Sequence, residues 1–197
     1  MSQFFRIHPE NPQVRLVRQA VGILNSGGVI AYPTEAVFGL GCSPWNFDAI
    51  DRLVWLKRRP KSKGFIVVAA SASQLKRIVD FSRLNNLVEI LDTWPGPFTW
   101  VMPALPSVPD TIRGENGEIA VRVSAHPVIQ HLCSLCGPII STSANPANNT
   151  PARSERAVRK YFRDSLDYIL PGNLGSETTP TEIRHALSGR VIRPGIR

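Results

Sequence analysis

The chain is poor in cysteine, has no long apolar run, and carries none of the common nucleotide or hydrolase signatures. Each lack narrows what it can be. Its three cysteines, Cys42, Cys133 and Cys136, are too few and odd in number for a disulfide framework. Cys133 and Cys136 form a C-x-x-C pair with His131 close by, yet no fourth ligand stands at the spacing a zinc site needs. The pair reads instead as two small apolar side chains one turn apart on a helix that Pro127 opens and Gly137 ends. No apolar stretch approaches the roughly 18 residues of a membrane span. Segment 1–12 is polar and lacks the apolar core of a secretory signal. A cytoplasmic protein without membrane contact is the expectation.

G-x-x-x-x-G-K-[ST] is missing, which excludes a Walker-type phosphate loop. Gly39-Leu40-Gly41 begins like a dinucleotide fingerprint, but Pro44 stands where the third glycine belongs. Neither a G-x-S-x-G elbow nor an H-E-x-x-H pair occurs. A nucleotide, if one is handled, is held by another design. Acidic residues are also short, 15 against 23 lysines and arginines, leaving a net charge of +8. That balance suits a polyanionic partner, either nucleotide or nucleic acid.

What is present is ordinary globular material, 43% hydrophobic and 19% charged over 197 residues, a length that fits one domain spanning 1–197. Val14, Val17, Val21 and Leu24 recur at helical spacing before Gly27-Gly28. A short buried strand follows at 29–32 and ends at Pro33. Asn46 or Asp48 caps a second helix that Pro60 closes. Residues 65–70 are an unbroken apolar run, as in a strand covered on both faces. Helical stretches are expected near 72–80 and 83–93, then a Trp94-Pro95-Gly96-Pro97 turn. Further strands are expected at 98–102, 119–123, 138–143, 167–170 and 191–193, with helices at 127–136 and 154–163; residues 181–187 are ambiguous. Strands and helices mix without strict alternation, so an α/β sheet of mixed direction is expected. No repeat or linker interrupts it.

Four polar segments sit where predicted strands end, the place open α/β sheets bind ligands. Tyr32-Pro33-Thr34-Glu35 leads into Phe38-Gly39-Leu40-Gly41, a glycine-rich exit that lets backbone approach a ligand. Residues 57–63 hold five basic side chains, including Lys57, Arg59 and Lys63, a density of charge that favours a phosphate site. Arg122 lies opposite the apolar side chains of its strand, and a strand arginine can hold a carboxylate bidentately. Ser141-Thr142-Ser143-Ala144-Asn145 ends an apolar strand with hydroxyls and an amide, which suit phosphate, carboxylate or ribose. Each segment also has a plain structural explanation: a turn, a solvated helix end, an exposed arginine, or a serine–threonine turn.

In this order the four segments resemble the YrdC-type threonylcarbamoyl-AMP synthase family, in its short, single-domain bacterial form. Its strand–PTE element, K-x-R and S-x-N appear as Thr34 in Y-P-T-E, Lys57 with Arg59, and Ser143 with Asn145. W-P-G-P-F-T at 94–99, V-R-V at 121–123, P-T-E-I at 180–183 and V-I-R-P-G at 191–195 match as well. The resemblance spans roughly 12–195. It implies an open, twisted mixed sheet with flanking helices (YrdC/RibB-like) and a positively charged concave face. The implied reaction joins L-threonine, bicarbonate and ATP into threonylcarbamoyl-AMP with release of pyrophosphate, using Mg²⁺. Partner proteins of a threonylcarbamoyl-transferase complex would then modify adenosine 37 of tRNAs that read codons beginning with A. By position, Thr34, Arg122, Ser141 and Thr181 would contact threonine, and Arg59, Lys63, Ser143 and Arg193 would contact ATP. Lys57, Arg59, Ser143 and Asn145 form the catalytic set, and no protein metal ligand is expected. Two departures are visible: Val68 stands where some members have a histidine, and Pro146-Ala147-Asn148-Asn149 replaces a small Ser-Gly pair. The alternative reading is a non-catalytic factor binding double-stranded RNA or tRNA, with phosphates tracked by Arg153, Arg156, Arg159, Lys160 and Arg163.

Overall fold

The structure is a computed structural model that describes residues 12–58, 64–114, 116–177 and 181–195. Among these residues nine strands form one sheet of mixed direction: β1 (Ile30–Pro33), β2 (Phe38–Gly41), β3 (Ile66–Ala69), β4 (Phe98–Pro103), β5 (Glu118–Val123), β6 (Ile139–Ser143), β7 (Tyr168–Ile169), β8 (Glu182–His185) and β9 (Val191–Arg193). Their order across the sheet is β7-β1-β2-β6-β3-β5-β4-β8-β9. The β3–β5, β4–β8 and β1–β7 pairs are parallel and the rest antiparallel. Among the described residues five α-helices flank it: α1 (Pro12–Asn25), α2 (Phe47–Lys57), α3 (Leu87–Asp92), α4 (Pro127–Cys136) and α5 (Glu155–Phe162). The expected mixed α/β class is what forms.

Period-two alternation sorts each strand between two faces. On one face Phe38, Leu40, Val67, Ile119, Val121, Trp100 and Met102 pack with Ala49, Ile50 and Leu53 of α2 and Val158 and Phe162 of α5. The other face carries Tyr32, Ile30, Val68 and Ile139, covered by Val17, Ala20 and Leu24 of α1 and Ile129, Leu132 and Cys133 of α4. These two helices cover only part of that face. Glu118, Ala120 and Arg122 of β5 share it, because Ala120 pairs with Ile66 and Arg122 with Val68. The uncovered part is where a ligand can lie.

Several expectations change. Residues 38–41 are not a loose exit but a central strand, β2, paired with β1 and β6. Glycine is required there for close approach: a Cβ at Gly41 would lie 2.3 Å from the Ile140 carbonyl and 2.9 Å from the Tyr32 ring. Tyr32, fully buried, lies against both strand glycines. The helices expected at 72–80 and 83–93 shrink to 3-10 turns at Ala72–Arg77 and Phe81–Arg83 and the short α3. Asn46 does cap α2, accepting from Ala49 N at 2.9 Å. Arg58, in a left-handed conformation with φ 48, ends it. The C-x-x-C pair lies on α4, with Cys133 fully buried against Val68 and its thiol raised well above the ordinary range by burial. The ambiguous segment 181–187 supplies β8, which recruits β9 to the sheet edge. Among the described residues no helix is long and apolar enough to cross a membrane.

Candidate active site

The uncovered face holds a cavity of about 530 Å³. Its walls come from the turn after β1 (Thr34, Glu35), from β6 (Ser141, Ser143), from β5 (Glu118, Ala120, Arg122) and from the β8–β9 edge (Thr181, Ile183, Arg193). Six of the ten residues expected to act on ligands therefore converge there: Thr34, Arg122, Ser141, Ser143, Thr181 and Arg193. Arg59 and Lys63 lie outside the described residues, although Gly64, next in the chain after Lys63, lines the cavity.

Lys57 and Asn145 do not line it. The Lys57 side chain, only 4% exposed, runs behind the S-T-S-A-N loop. Its Nζ donates to the main-chain oxygens of Ser143 and Asn145 at 2.5 Å each, and to Asn145 Oδ1 at 3.3 Å and Ser143 Oγ at 3.4 Å. The amide of Asn145 in turn donates to the carbonyls of Pro146 at 3.0 Å and Asn149 at 2.7 Å. Ala147 N returns a bond to Lys57 O at 2.8 Å. A buried ammonium must be compensated, and main-chain carbonyls compensate it here. The K-x-R lysine and the S-x-N asparagine thus brace the loop that presents the Ser143 side chain. The Pro146–Asn149 departure is absorbed by the same bracing, with Asn148 adopting φ 65.

Arg122 is the opposite case. It is 7% exposed and faces the cavity. Nη1 donates to Thr181 Oγ1 at 2.9 Å and Nη2 to Glu35 Oε2 at 3.2 Å, while Nε has no acceptor. Glu35 is likewise buried, and its Oε1 accepts from Ser124 Oγ at 2.5 Å. Arg193 donates through Nε and Nη2 to Thr181 O at 3.1 and 2.8 Å. Partial desolvation, and then the nearby Arg122 charge, push the Arg193 guanidinium down from its ordinary value. Thr34 spends its hydroxyl proton on Val37 O at 2.7 Å, so toward a ligand its oxygen can only accept.

At the far end of β5, Glu118 accepts from His185 Nε2 at 2.8 Å. Ser188 N donates to Nδ1 of the same ring, which sets the tautomer. Ile66, Ala120, Val101 and Ile183 form an apolar floor between the two ends. The sequence reading singled out the segments that hold Glu35 and Ser124 but gave neither residue a task, and it missed Glu118 and His185. Only for Glu35 was a signal available: an acid beside a strand end, in a cavity that also needs a buried arginine.

Among the described residues no serine or threonine hydroxyl of the cavity wall is hydrogen-bonded to a histidine, so no nucleophile–base couple marks that wall. Buried cations, hydroxyls and an apolar floor on an open α/β sheet are groups suited to an anionic ligand. The chain belongs to the Sua5/YciO/YrdC family, whose model, described as "Telomere recombination", matches residues 22–195. It is 50% identical over 175 residues to the threonylcarbamoyl-AMP synthase of Pseudomonas aeruginosa (strain UCBPP-PA14), covering 89% of this chain and 95% of that one. The protein of the same name from Stutzerimonas stutzeri (strain A1501) is 46% identical over 178 residues, covering 90% and 96%. Among solved structures, P. abyssi Sua5 complexed with L-threonine superposes with TM-score 0.84 at 30% identity, covering 91% of this chain and 54% of that longer one. E. coli YciO superposes with TM-score 0.81 at 30% identity, covering 100% and 97%.

Proposed function

We propose that the protein is an L-threonylcarbamoyladenylate synthase, a nucleotidyltransferase that makes threonylcarbamoyl-AMP from L-threonine, bicarbonate and ATP for tRNA modification. The observation that carries this reading is Arg122: a buried guanidinium at a cavity wall, its fork oriented from two sides by Thr181 and Glu35. Nη1 and Nη2 each carry a second N–H beyond these two bonds, and an incoming carboxylate offers the fork its acceptors. A relative of this fold, P. abyssi Sua5, has been solved with L-threonine.

On this reading Arg122 holds the threonine carboxylate, and Thr34, Ser141 and Thr181 surround the amino acid. Nitrogen of threonine bonds to the carbon of bicarbonate and water leaves, giving a carbamate. A carbamate oxygen then bonds to the α-phosphorus of ATP, the α–β bridging bond breaks, and pyrophosphate departs. No protein nucleophile is required, only positioning and neutralisation of two anions. Ser143 and Arg193, with Arg59 and Lys63, serve the nucleotide, and Lys57 and Asn145 hold the Ser143 loop. Among the described residues no group of three or more His, Cys, Asp or Glu side chains is arranged as a metal cage. Mg²⁺ bound together with ATP would supply charge neutralisation for the phosphates. The adenylate would pass to threonylcarbamoyl-transferase proteins in the cytoplasm. Contact with tRNA or double-stranded RNA, if made, falls to α5, whose Arg156, Arg159 and Lys160 are exposed.

The test is mass spectrometry of the product formed with threonine, bicarbonate, ATP and Mg²⁺. A threonylcarbamoyl-AMP ion with matching pyrophosphate release is expected. ATP turnover that ignores threonine would overturn the reading.

A further inference from the structure

We propose that Glu35, held by Ser124, is the positioning residue that sets the Arg122 guanidinium for the amino-acid carboxylate; this rests on the assignment of that carboxylate to Arg122 above. Three observations meet at Glu35. Its two carboxylate oxygens are divided, Oε1 taking the Ser124 hydroxyl at 2.5 Å and Oε2 taking Arg122 Nη2 at 3.2 Å. Ser124 is itself fixed: it is fully buried at the end of β5, its N donates to Ala69 O at 3.2 Å, and its Oγ accepts from His126 N at 3.1 Å. Lastly, the main chain at Glu35 is clamped. Gly175 N donates to Thr34 O at 2.9 Å and Glu177 N to Glu35 O at 3.1 Å. Gly175 lies so close that a Cβ there would come within 2.8 Å of the Glu35 carbonyl.

An arginine side chain has many rotamers to lose, so an unheld guanidinium at a cavity wall would sample several orientations. Glu35 and Thr181 remove that freedom from two directions, through segments 146 positions apart (181 minus 35). With Nη2 and Nη1 each given one fixed acceptor, the plane of the fork is set before any ligand arrives. Both side chains of the pair are about one-tenth exposed or less. In such a setting a carboxylate orients an arginine strongly, because water does not compete. Glu35 thus acts through Arg122, whereas Ser124 acts through Glu35 and lies outside the cavity lining.

The experiment is a double-mutant cycle between Glu35→Gln and Arg122→Lys, with Ser124→Ala as a milder variant that removes only the hydroxyl on Glu35. Steady-state pyrophosphate release gives KM for threonine and for ATP. Calorimetry gives the affinity of each ligand alone, so the cycle has a readout even without turnover. Thermal melts confirm that each variant is folded. Glu35→Gln is expected to raise the threonine KM by about tenfold or more, with the ATP KM within about twofold. Ser124→Ala shifts it the same way by less. On the Arg122→Lys background, Glu35→Gln adds nothing further, since the fork it orients is gone. Should the shift fall on ATP instead and vanish in the same background, positioning of Arg122 by Glu35 stands and the carboxylate assignment fails. Full additivity overturns the proposal, as does a folded Glu35→Gln protein with unchanged or lower threonine KM, in which Glu35 would be competing with substrate for Arg122. Absence of any effect of Arg122→Lys on either ligand overturns it too.

Discussion

Arg122 and Lys57 are both buried cations within the same motif set, and they are compensated in opposite ways. Arg122 meets side chains, a carboxylate and a hydroxyl, at the cavity wall. Lys57 meets chiefly main-chain carbonyls behind the loop that forms that wall. The contrast follows from chemistry. An ammonium is a compact point charge with three rotatable donors, suited to a ring of carbonyls that a loop offers at its turn. A guanidinium is a planar fork suited to carboxylates. On the proposed reading, one region of the site receives a ligand and the other is a fastening that keeps a loop in shape. In the sequence both positions read as ligand-facing cations, Lys57 in a basic cluster suited to phosphate and Arg122 on a strand suited to a carboxylate.

Removing the fastening should have the largest effect. Lys57→Met leaves the Asn145 carbonyl without its donor, at a cost of about 1–3 kcal/mol, and takes away the further contacts to Ser143 O, which keeps only Asn145 N, and to Asn145 Oδ1 and Ser143 Oγ. A loss of several kcal/mol in urea or thermal unfolding is expected, together with weaker ATP binding as Ser143 shifts. A Lys57→Met protein of normal stability that has lost only catalysis would move Lys57 into the receptor region and break the comparison.

Changing the receptor should cost less stability and more selectivity. Arg122→Lys keeps the charge beside Glu35 but loses the fork. The threonine KM should rise by a factor corresponding to about 1.5–3 kcal/mol, while the ATP KM moves far less. Against the wild type, serine should remain a poor but measurable substrate, since one methyl is worth roughly 1–3 kcal/mol in a pocket. Pyrophosphate release with each amino acid checks both statements, and an ATP-only defect would hand Arg122 to the nucleotide.

The smallest expected effect concerns His126, next to the Ser124–Glu35 contact. Desolvation lowers its pKa from the ordinary 6.5, outweighing the opposing pull of Glu35 and the Asn173 carbonyl. Its Nδ1 has no partner. A depressed folded value means the neutral ring is favoured in the native state. The stability it contributes is intact above the unfolded value and is lost as pH falls below it, while the unfolded chain takes up the proton first. Melting temperature should decline as pH drops from 7 through 6.5, and His126→Gln should flatten that decline. His131 shifts in the same direction, from desolvation and then Arg18, and leaves a residual slope. An unchanged pH profile in His126→Gln would show that the receptor region titrates through other groups.

Much of the fold could be read from residue order. Helical periodicity placed α1, α2, α4 and α5 to within a few residues, and the apolar runs placed β3, β4, β5 and β6. These are long or strongly patterned segments, in which local preference and burial agree. Strand β2 was hidden because glycines are poor strand formers in isolation; here they are demanded by the Tyr32 ring lying against them, a contact made only once β1 and β2 pair. The weak helices between 72 and 93 failed for the reverse reason: their apolar residues are needed against the sheet in short 3-10 turns rather than along one helical stripe.

At the candidate site the division is similar. The kinds of groups were visible one by one in the chain: hydroxyls at the end of β6, an arginine opposed to the apolar positions of β5, a threonine after β1. Alternation alone set Arg122 on the face away from Val121 and Val123. Which cation would meet a ligand and which would be enclosed by carbonyls was decided only by packing, because that depends on segments far apart in the chain arriving at one place. Glu35, Ser124 and Thr181 come from three such segments, and desolvation forces each buried charge to take whatever partner the fold brings nearest.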